Sequence, residues 1–215
     1  MKEAGIRVIS SATNVAEAKA LEAAGMDAII AQGYEAGGHR GSHLPTPAGE
    51  GIGLMALIPQ MVDAVRVPVI AAGGIADGRG IAAALSLGAS AVQIGTGFLR
   101  CPESSVSQRH RDAIAASSAH DTMFTNAVSG RSARGLKSDY AVGMAKYHGA
   151  LPSFPSMYAL TRPLLGAAAE IRPEPVSFFL FGQSAALTKA LPAGEYIDWL
   201  VADTQKTLSR LSKAS

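Results

Sequence analysis

"VPVIAAGGIADGRG", residues Val67–Gly80, opens with an apolar run, breaks at two glycines, and continues through an aspartate into a segment compatible with helix. The run "VPVIAAGG" (Val67–Gly74) is nearly continuous in hydrophobicity rather than alternating, the pattern of a parallel strand buried on both faces. Asp77 is suited to accept hydrogen bonds from the first N–H groups of a helix, and Gly88 to close it. Working outward, the same arrangement recurs. "IRVISSA" (Ile6–Ala12), "DAIIAQG" (Asp27–Gly33) and "SAVQIGTGF" (Ser90–Phe98) are further apolar runs with helical patterns between them. Asn14 can cap a helix with Glu17 three residues later and Gly25 as its C′ residue. Leu54, Leu57, Ile58, Met61, Val62 and Val65 follow the i, i+3, i+4 spacing of an amphipathic helix. Strands that alternate with helices define repeated βα units.

The rhythm fails after residue 100. "SSVSQRHRDAIAASS" (Ser104–Ser118) reads as a helix, and "GRSARGLKSDYAVG" (Gly130–Gly143) and "GALPSFPSMYAL" (Gly149–Leu160) as loops. "SFFLFGQSAAL" (Ser177–Leu187) reads as a short strand or buried turn, and Ile197–Leu211 as a terminal amphipathic helix. A (β/α)₈ barrel takes about 250 residues and eight strands; the 215 residues here supply four βα units in the first hundred. The expected fold is α/β: a TIM-type barrel represented by its later four βα units, with an N-terminal truncation. Residues 1–103 would form the βα units and residues 104–215 a helical and loop region packed on them. Open sheet edges would favour self-association of such a half barrel.

Composition excludes several classes. Hydrophobic residues make up 48% and charged residues 17%, as in a packed globular chain. A formal net charge of +2 gives no footing for nucleic acid, and the basic cluster "RHRD" (Arg109–Asp112) reads as a solvated helix face. The single cysteine, Cys101, rules out an internal disulfide. No apolar run is long enough to span a membrane, and the N-terminus lacks the apolar segment of a signal peptide, so a cytoplasmic location is expected. No metal site is expected.

Two strand ends carry glycines in succession, Gly73–Gly74 and Gly95–Thr96. Bare backbone N–H groups at adjacent βα turns, beside helix N-termini, form an anion site, and barrel enzymes place a phosphate there. The strand before them runs into "GYEAGGHRGSH" (Gly33–His43). Gly37 and Gly38 would let the backbone pass beneath a flat ligand, and His39 would enter the mouth of the pocket. Imidazole is the side chain best matched to proton transfer near neutral pH. His43, His110, His120 and His148 lack such a setting and read as structural or solvent-facing.

"AQGYEAGGHRG", "PVIAAGGIADGRG" and "AVQIGTGFL", in this order and spacing, resemble the FMN-dependent nitronate monooxygenases, also called 2-nitropropane dioxygenases. The likeness is dense from Ile6 to Glu103 and looser beyond, resting there on "SGRSARGL" and "FGQSAAL". The chain departs from the family at Lys137 and Ser138, where an asparagine is usual. The resemblance implies that His39 is the catalytic base, taking a proton from the carbon beside a nitro group or orienting the nitronate. It implies that Gln32 and Gly37 contact FMN and that Gly73, Gly74, Gln93, Ile94, Gly95 and Thr96 hold its phosphate. The implied reaction is oxidation of a small nitronate by O₂ to a carbonyl compound and nitrite. A related FMN reductase using NAD(P)H, of the enoyl-acyl-carrier-protein reductase II type, shares the "GGH" turn and is the alternative. A non-catalytic fragment stable only with a partner is the third reading.

Overall fold

The four apolar runs become the parallel strands β1 (Ile9–Ala12), β2 (Ala28–Gln32), β4 (Val69–Ala72) and β5 (Ala91–Gln93). The computed structural model describes residues 2–44, 50–171 and 176–213. The strands form one sheet in the order β1-β2-β4-β5, every pair parallel. Ile29 lies opposite Val69 and Ala72 opposite Gln93, so all four strand ends lie along one edge of the sheet. Near-continuous hydrophobicity has this cause in the inner strands, where Ala28, Ile29, Ile30 and Ala31 of β2 are all buried. The outer strands β1 and β5, expected to be buried on both faces, leave Ile9, Ala91 and Gln93 exposed, because each has a strand on one side only in this sheet.

Helices α1 (Val15–Ala23), α2 (Leu54–Ala64) and α3 (Gly78–Ser86) alternate with these strands. On α2 the expected stripe, Leu54, Leu57, Ile58 and Met61, is buried against Ile29, Val69 and Ala71, while Met55 faces outward. Asn14 accepts from Glu17 N at the start of α1, and Asp77 accepts from Arg79 N and Gly80 N at the start of α3. Glu17 does not return the bond to Asn14. Its carboxylate accepts from Thr13 N and the Thr13 hydroxyl, and across the fold from His43 N and Leu44 N.

The second half differs from the expectation in two places. The segment Gly130–Gly143, expected as a loop, contains strand β7 (Ala133–Leu136) and helix α5 (Asp139–Met144). β7 pairs antiparallel with β6 (Thr122–Thr125) on one side and with β3 (Gly38–His39) on the other. β6 lies only eight residues before it, but β3 lies almost a hundred residues away, and β7, between the two, takes its place in the sheet from both. The segment Gly149–Leu160 carries the first turn of α6 (Ser156–Ile171). For Ser177–Leu187 the structure has the second of the two expected forms, a buried turn without a strand, with Phe181, Gly182, Ser184 and Ala185 buried and a short 3₁₀ turn at Ala185–Leu187. The expected helices after residue 100 are α4 (Gln108–Ala116) and α7 (Ala193–Ser212), the latter lying against α3. Ser138, at the departure from the family pattern, caps α5 by accepting from Ala141 N. Among the described residues no helix is long and apolar enough to cross a membrane.

Candidate active site

Neighbouring parallel strands deliver their C-terminal turns side by side, and β4 and β5 do so here. After β4 the backbone turns through Gly73 (φ +104°) and Gly74 (φ +71°), angles that side chains with a Cβ rarely adopt. After β5 it turns at Gly95–Thr96 into a 3₁₀ turn, Thr96–Arg100. Both turns line one cavity of about 100 Å³, together with Gln32, Gly37 and Gln93. Seven of the eight residues expected to contact the cofactor therefore meet in one place. The eighth, Ile94, packs into the core and has only its backbone to offer. Ser11, Gly182 and Ser184 also line the cavity, and among the described residues no Asp or Glu does. A Cβ built on Gly95 meets nothing within 4 Å, so the main chain there borders open space.

One detail of the expected anion site is corrected. The first N–H groups of α3 are already committed: Arg79 N and Gly80 N donate to Asp77, and Gly78 N donates to Asp203 of α7 at 2.8 Å. The helix end has no donor left in its first turn, so an anion in this cavity would be held by the glycine turns themselves. Thr96 adds an organising contact, its Oγ1 accepting from Gly182 N at 2.9 Å.

The glycine-rich turn after β2 borders the cavity at Gly37 and also has a steric cause of its own. A Cβ on Gly37 would lie 2.4 Å from the Phe181 carbonyl carbon, and one on Gly182 would lie 2.6 Å from the Glu35 carbonyl oxygen. Two backbones cross there, and glycine on both makes the crossing sterically allowed. Gln32 likewise has an internal duty. Its Nε2 donates to His39 O at 3.1 Å and its Oε1 accepts from Gly41 N at 2.7 Å, so the side chain clamps the turn while bordering the cavity. Arg40, buried, donates from Nη1 to Gly33 O at 2.8 Å. Arg134 of β7, also buried, donates to Tyr34 O and sets its guanidinium 4.3 Å from the Phe124 ring centroid. The turn is thus a short strand, β3, braced on both sides.

His39 ends β3, two residues from the cavity wall at Gly37. Its Nε2 lies 2.8 Å from the hydroxyl of Ser129, which is buried. That hydroxyl donates its one proton to Arg131 O at 2.9 Å, so toward the imidazole it can only accept. With the hydroxyl so turned, the His39 tautomer that fits has its proton on Nε2 and the basic lone pair on Nδ1. Burial, and then the nearby positive charge of Arg131, lower the imidazole pKa below its usual value, so His39 is neutral at pH 7. The Phe154 ring meets it edge-on at 6.0 Å. The other histidines have structural partners or none near the cavity: His43 bonds Ser11 O, and His110 bonds Leu180 O and stacks on Phe179. Ser129, Gly182 and Ser184 escaped the residue-by-residue reading. The only signal for them lay in "SGRSARGL" and "FGQSAAL".

Comparison with known proteins decides the relationship. The family model described as nitronate monooxygenase matches residues 1–203. The chain belongs to the nitronate monooxygenase family. A probable nitronate monooxygenase of Staphylococcus aureus (strain MSSA476) is 46% identical over 202 residues, covering 94% of this chain and 57% of that protein. The homologue from strain JH9 is 48% identical over 194 residues, covering 90% of this chain and 55% of that one. The chain thus spans little more than half the length of these curated relatives. Among solved structures, the nitroalkane oxidase of Streptomyces ansochromogenes superposes with a TM-score of 0.91 at 39% identity, over 98% of this chain and 60% of that one. FabK from Thermotoga maritima gives 0.82 at 34% identity, over 100% and 66%. The family is that of an oxidoreductase, as the motifs implied.

Proposed function

We propose that the chain carries the flavin phosphate site and the base of an enzyme that oxidises alkyl nitronates with O₂ to a carbonyl compound and nitrite. The observation that carries this reading is the meeting of the Gly73–Gly74 and Gly95–Thr96 turns at one acid-free cavity, beside a strand that ends in His39. The cavity fits a phosphate: backbone turns suit an anion, no carboxylate lines it among the described residues, the Glu35 carboxylate beside Gly74 is bonded to Leu54 N, and the main chain at Gly95 borders open space. At about 100 Å³ it falls below the roughly 300–1,000 Å³ usual for larger ligands, so the flavin ring would lie outside it, across the strand ends. Gly73, Gly74, Gly95 and Thr96 would hold the phosphate, with Gln93, the Ile94 backbone, Gly37 and Gln32 bordering the rest of FMN. When bound, FMN supplies the electron transfer between nitronate and O₂.

The protein's part is proton control. Neutral His39, with Nε2–H fixed on Ser129, presents Nδ1 as the acceptor for a proton on the carbon beside a nitro group. Removal of that proton leaves the nitronate and an imidazolium, and the positive charge of Arg131, which lowers the His39 pKa, favours return of the imidazole to its neutral form. The likeness to nitroalkane oxidase and to FabK supports a TIM-type barrel for the whole fold, with residues 1–103 as its βα units and 104–215 packed on them. The similarity to FabK favours one second reading, an FMN reductase using NAD(P)H. Both readings share the phosphate site. The test is the absorbance spectrum of the purified chain with its flavin ratio, followed by anaerobic addition of a nitronate or of NADH. Bleaching by nitronate supports the first reading and bleaching by NADH alone the second; a chain that takes up no flavin defeats both.

A further inference from the structure

Helix α7 supplies no residue to the cavity wall, yet it touches both phosphate turns from behind. Tyr196 is buried, and its hydroxyl donates to Ala76 O at 2.7 Å, two residues beyond Gly74. The same hydroxyl abuts the other turn: a Cβ on Gly97, next to Thr96, would lie 2.4 Å from it. Its ring meets Phe98 edge-on at 5.0 Å. Two helical turns further along α7, Asp203 accepts from Gly78 N at 2.8 Å. The helix backbone comes so close that a Cβ on Gly78 would lie 2.2 Å from Thr204 N. Residues 76–78, which follow Gly74, are therefore pinned at both ends by α7, and the segment following Thr96 rests on the same tyrosine.

This matters because a phosphate held by backbone N–H groups of two turns needs both turns at one spacing. Donor–acceptor distances are useful only between about 2.7 and 3.2 Å, so a displacement of half an ångström between the turns forfeits one set of bonds. We propose that Tyr196 is a positioning residue for the flavin phosphate: one side chain spans the backs of both turns and sets their separation. The inference rests on the flavin reading above. Burial, with Cys101 and Asp77 adding negative charge, pushes the phenol up to about 12, so the hydroxyl remains a donor across any assay range.

The test compares two ligands that differ only in the phosphate. Dissociation constants for FMN and riboflavin are measured by flavin fluorescence on the wild-type chain and on Tyr196→Phe, which keeps the ring but loses the hydroxyl. Weakening of FMN by about tenfold, with riboflavin unchanged, is the expected result. A merely structural role would weaken both ligands equally; equal loss, or no loss, overturns the proposal. Should Tyr196→Phe fail to fold, Gly97→Ala, whose Cβ would press on the Tyr196 hydroxyl, must show the same selective loss, and an unchanged ratio there also overturns the proposal. A wild-type chain that binds the two flavins equally would instead refute the phosphate site itself.

Discussion

At the scale of single residues, the chemistry reduces to one imidazole and the hydroxyl that fixes its tautomer. His39→Asn leaves the braced β3 turn in place and removes the base. Flavin content should be unchanged, while turnover of a neutral nitroalkane falls by roughly 10²–10⁴, as for loss of a general base. Turnover of a preformed nitronate should fall less, its proton being already gone. Equal losses on both substrates would make His39 a binding residue. Because burial and Arg131 lower the His39 pKa, the neutral form persists below pH 6.5. The acid limb of kcat/KM on a nitroalkane should therefore have its midpoint below 6.5, and raising the pH beyond 7 should add little. Gly95→Val tests the phosphate turn. Its side chain enters open space, so the melting temperature should hardly move while FMN binding is lost. Retention of stoichiometric FMN by this variant would remove Gly95 from the site.

Among the elements, the most informative junction joins α1 to the segment that follows β3. Burial alone would raise the Glu17 pKa. Hydrogen bonds from Leu44 N, Thr13 N, the Thr13 hydroxyl and His43 N outweigh that and hold it below the ordinary value of 4.5. A carboxyl with a depressed folded pKa stabilises the fold above its unfolded pKa, and that contribution is lost as pH falls through the folded value. Glu17→Gln should thus cost about 1.5–3 kcal/mol at pH 7, the range for hydrogen bonds to a charged group. In urea unfolding the gap between wild type and variant should close as the pH drops below 4.5. A gap independent of pH would show that the amide, and not the charge, is the issue.

For the whole molecule, the sheet order leaves β1 and β5 at the edges of the described sheet, and Ile9 on β1 is 52% exposed. Edge strands with apolar side chains invite pairing with another chain. Sedimentation equilibrium should show mass rising with concentration, and Ile9→Lys should suppress the rise. A monomer at all concentrations would contradict this. The same long-range view explains the brace on the active-site turn: β3 belongs with β7, almost a hundred residues later, and Gly37 crosses Gly182.

The local pattern was enough for the βα units, because a strand buried on both faces and a helix with one buried stripe write their periodicities directly into the chain. Val67–Gly80 alone shows a buried strand, a glycine turn and an Asp-capped helix, and the structure has β4, Gly73–Gly74 and α3 in those places. The histidine and the two glycine turns were legible for the same reason, since residues poor in packing value at strand ends need another explanation. What the chain could not reveal locally was what those residues meet. Gly37 and Gln32 border the cavity, but the chain gave no sign that Gly37 also passes the Phe181–Gly182 backbone or that the Gln32 amide clamps the turn that carries His39. Ser129, Asp203 and Tyr196 acquire roles only through partners ninety or more residues away. Periodicity records which face of an element is buried, whereas the identity of the partner depends on the folded path of the chain, and only the tertiary structure supplies that.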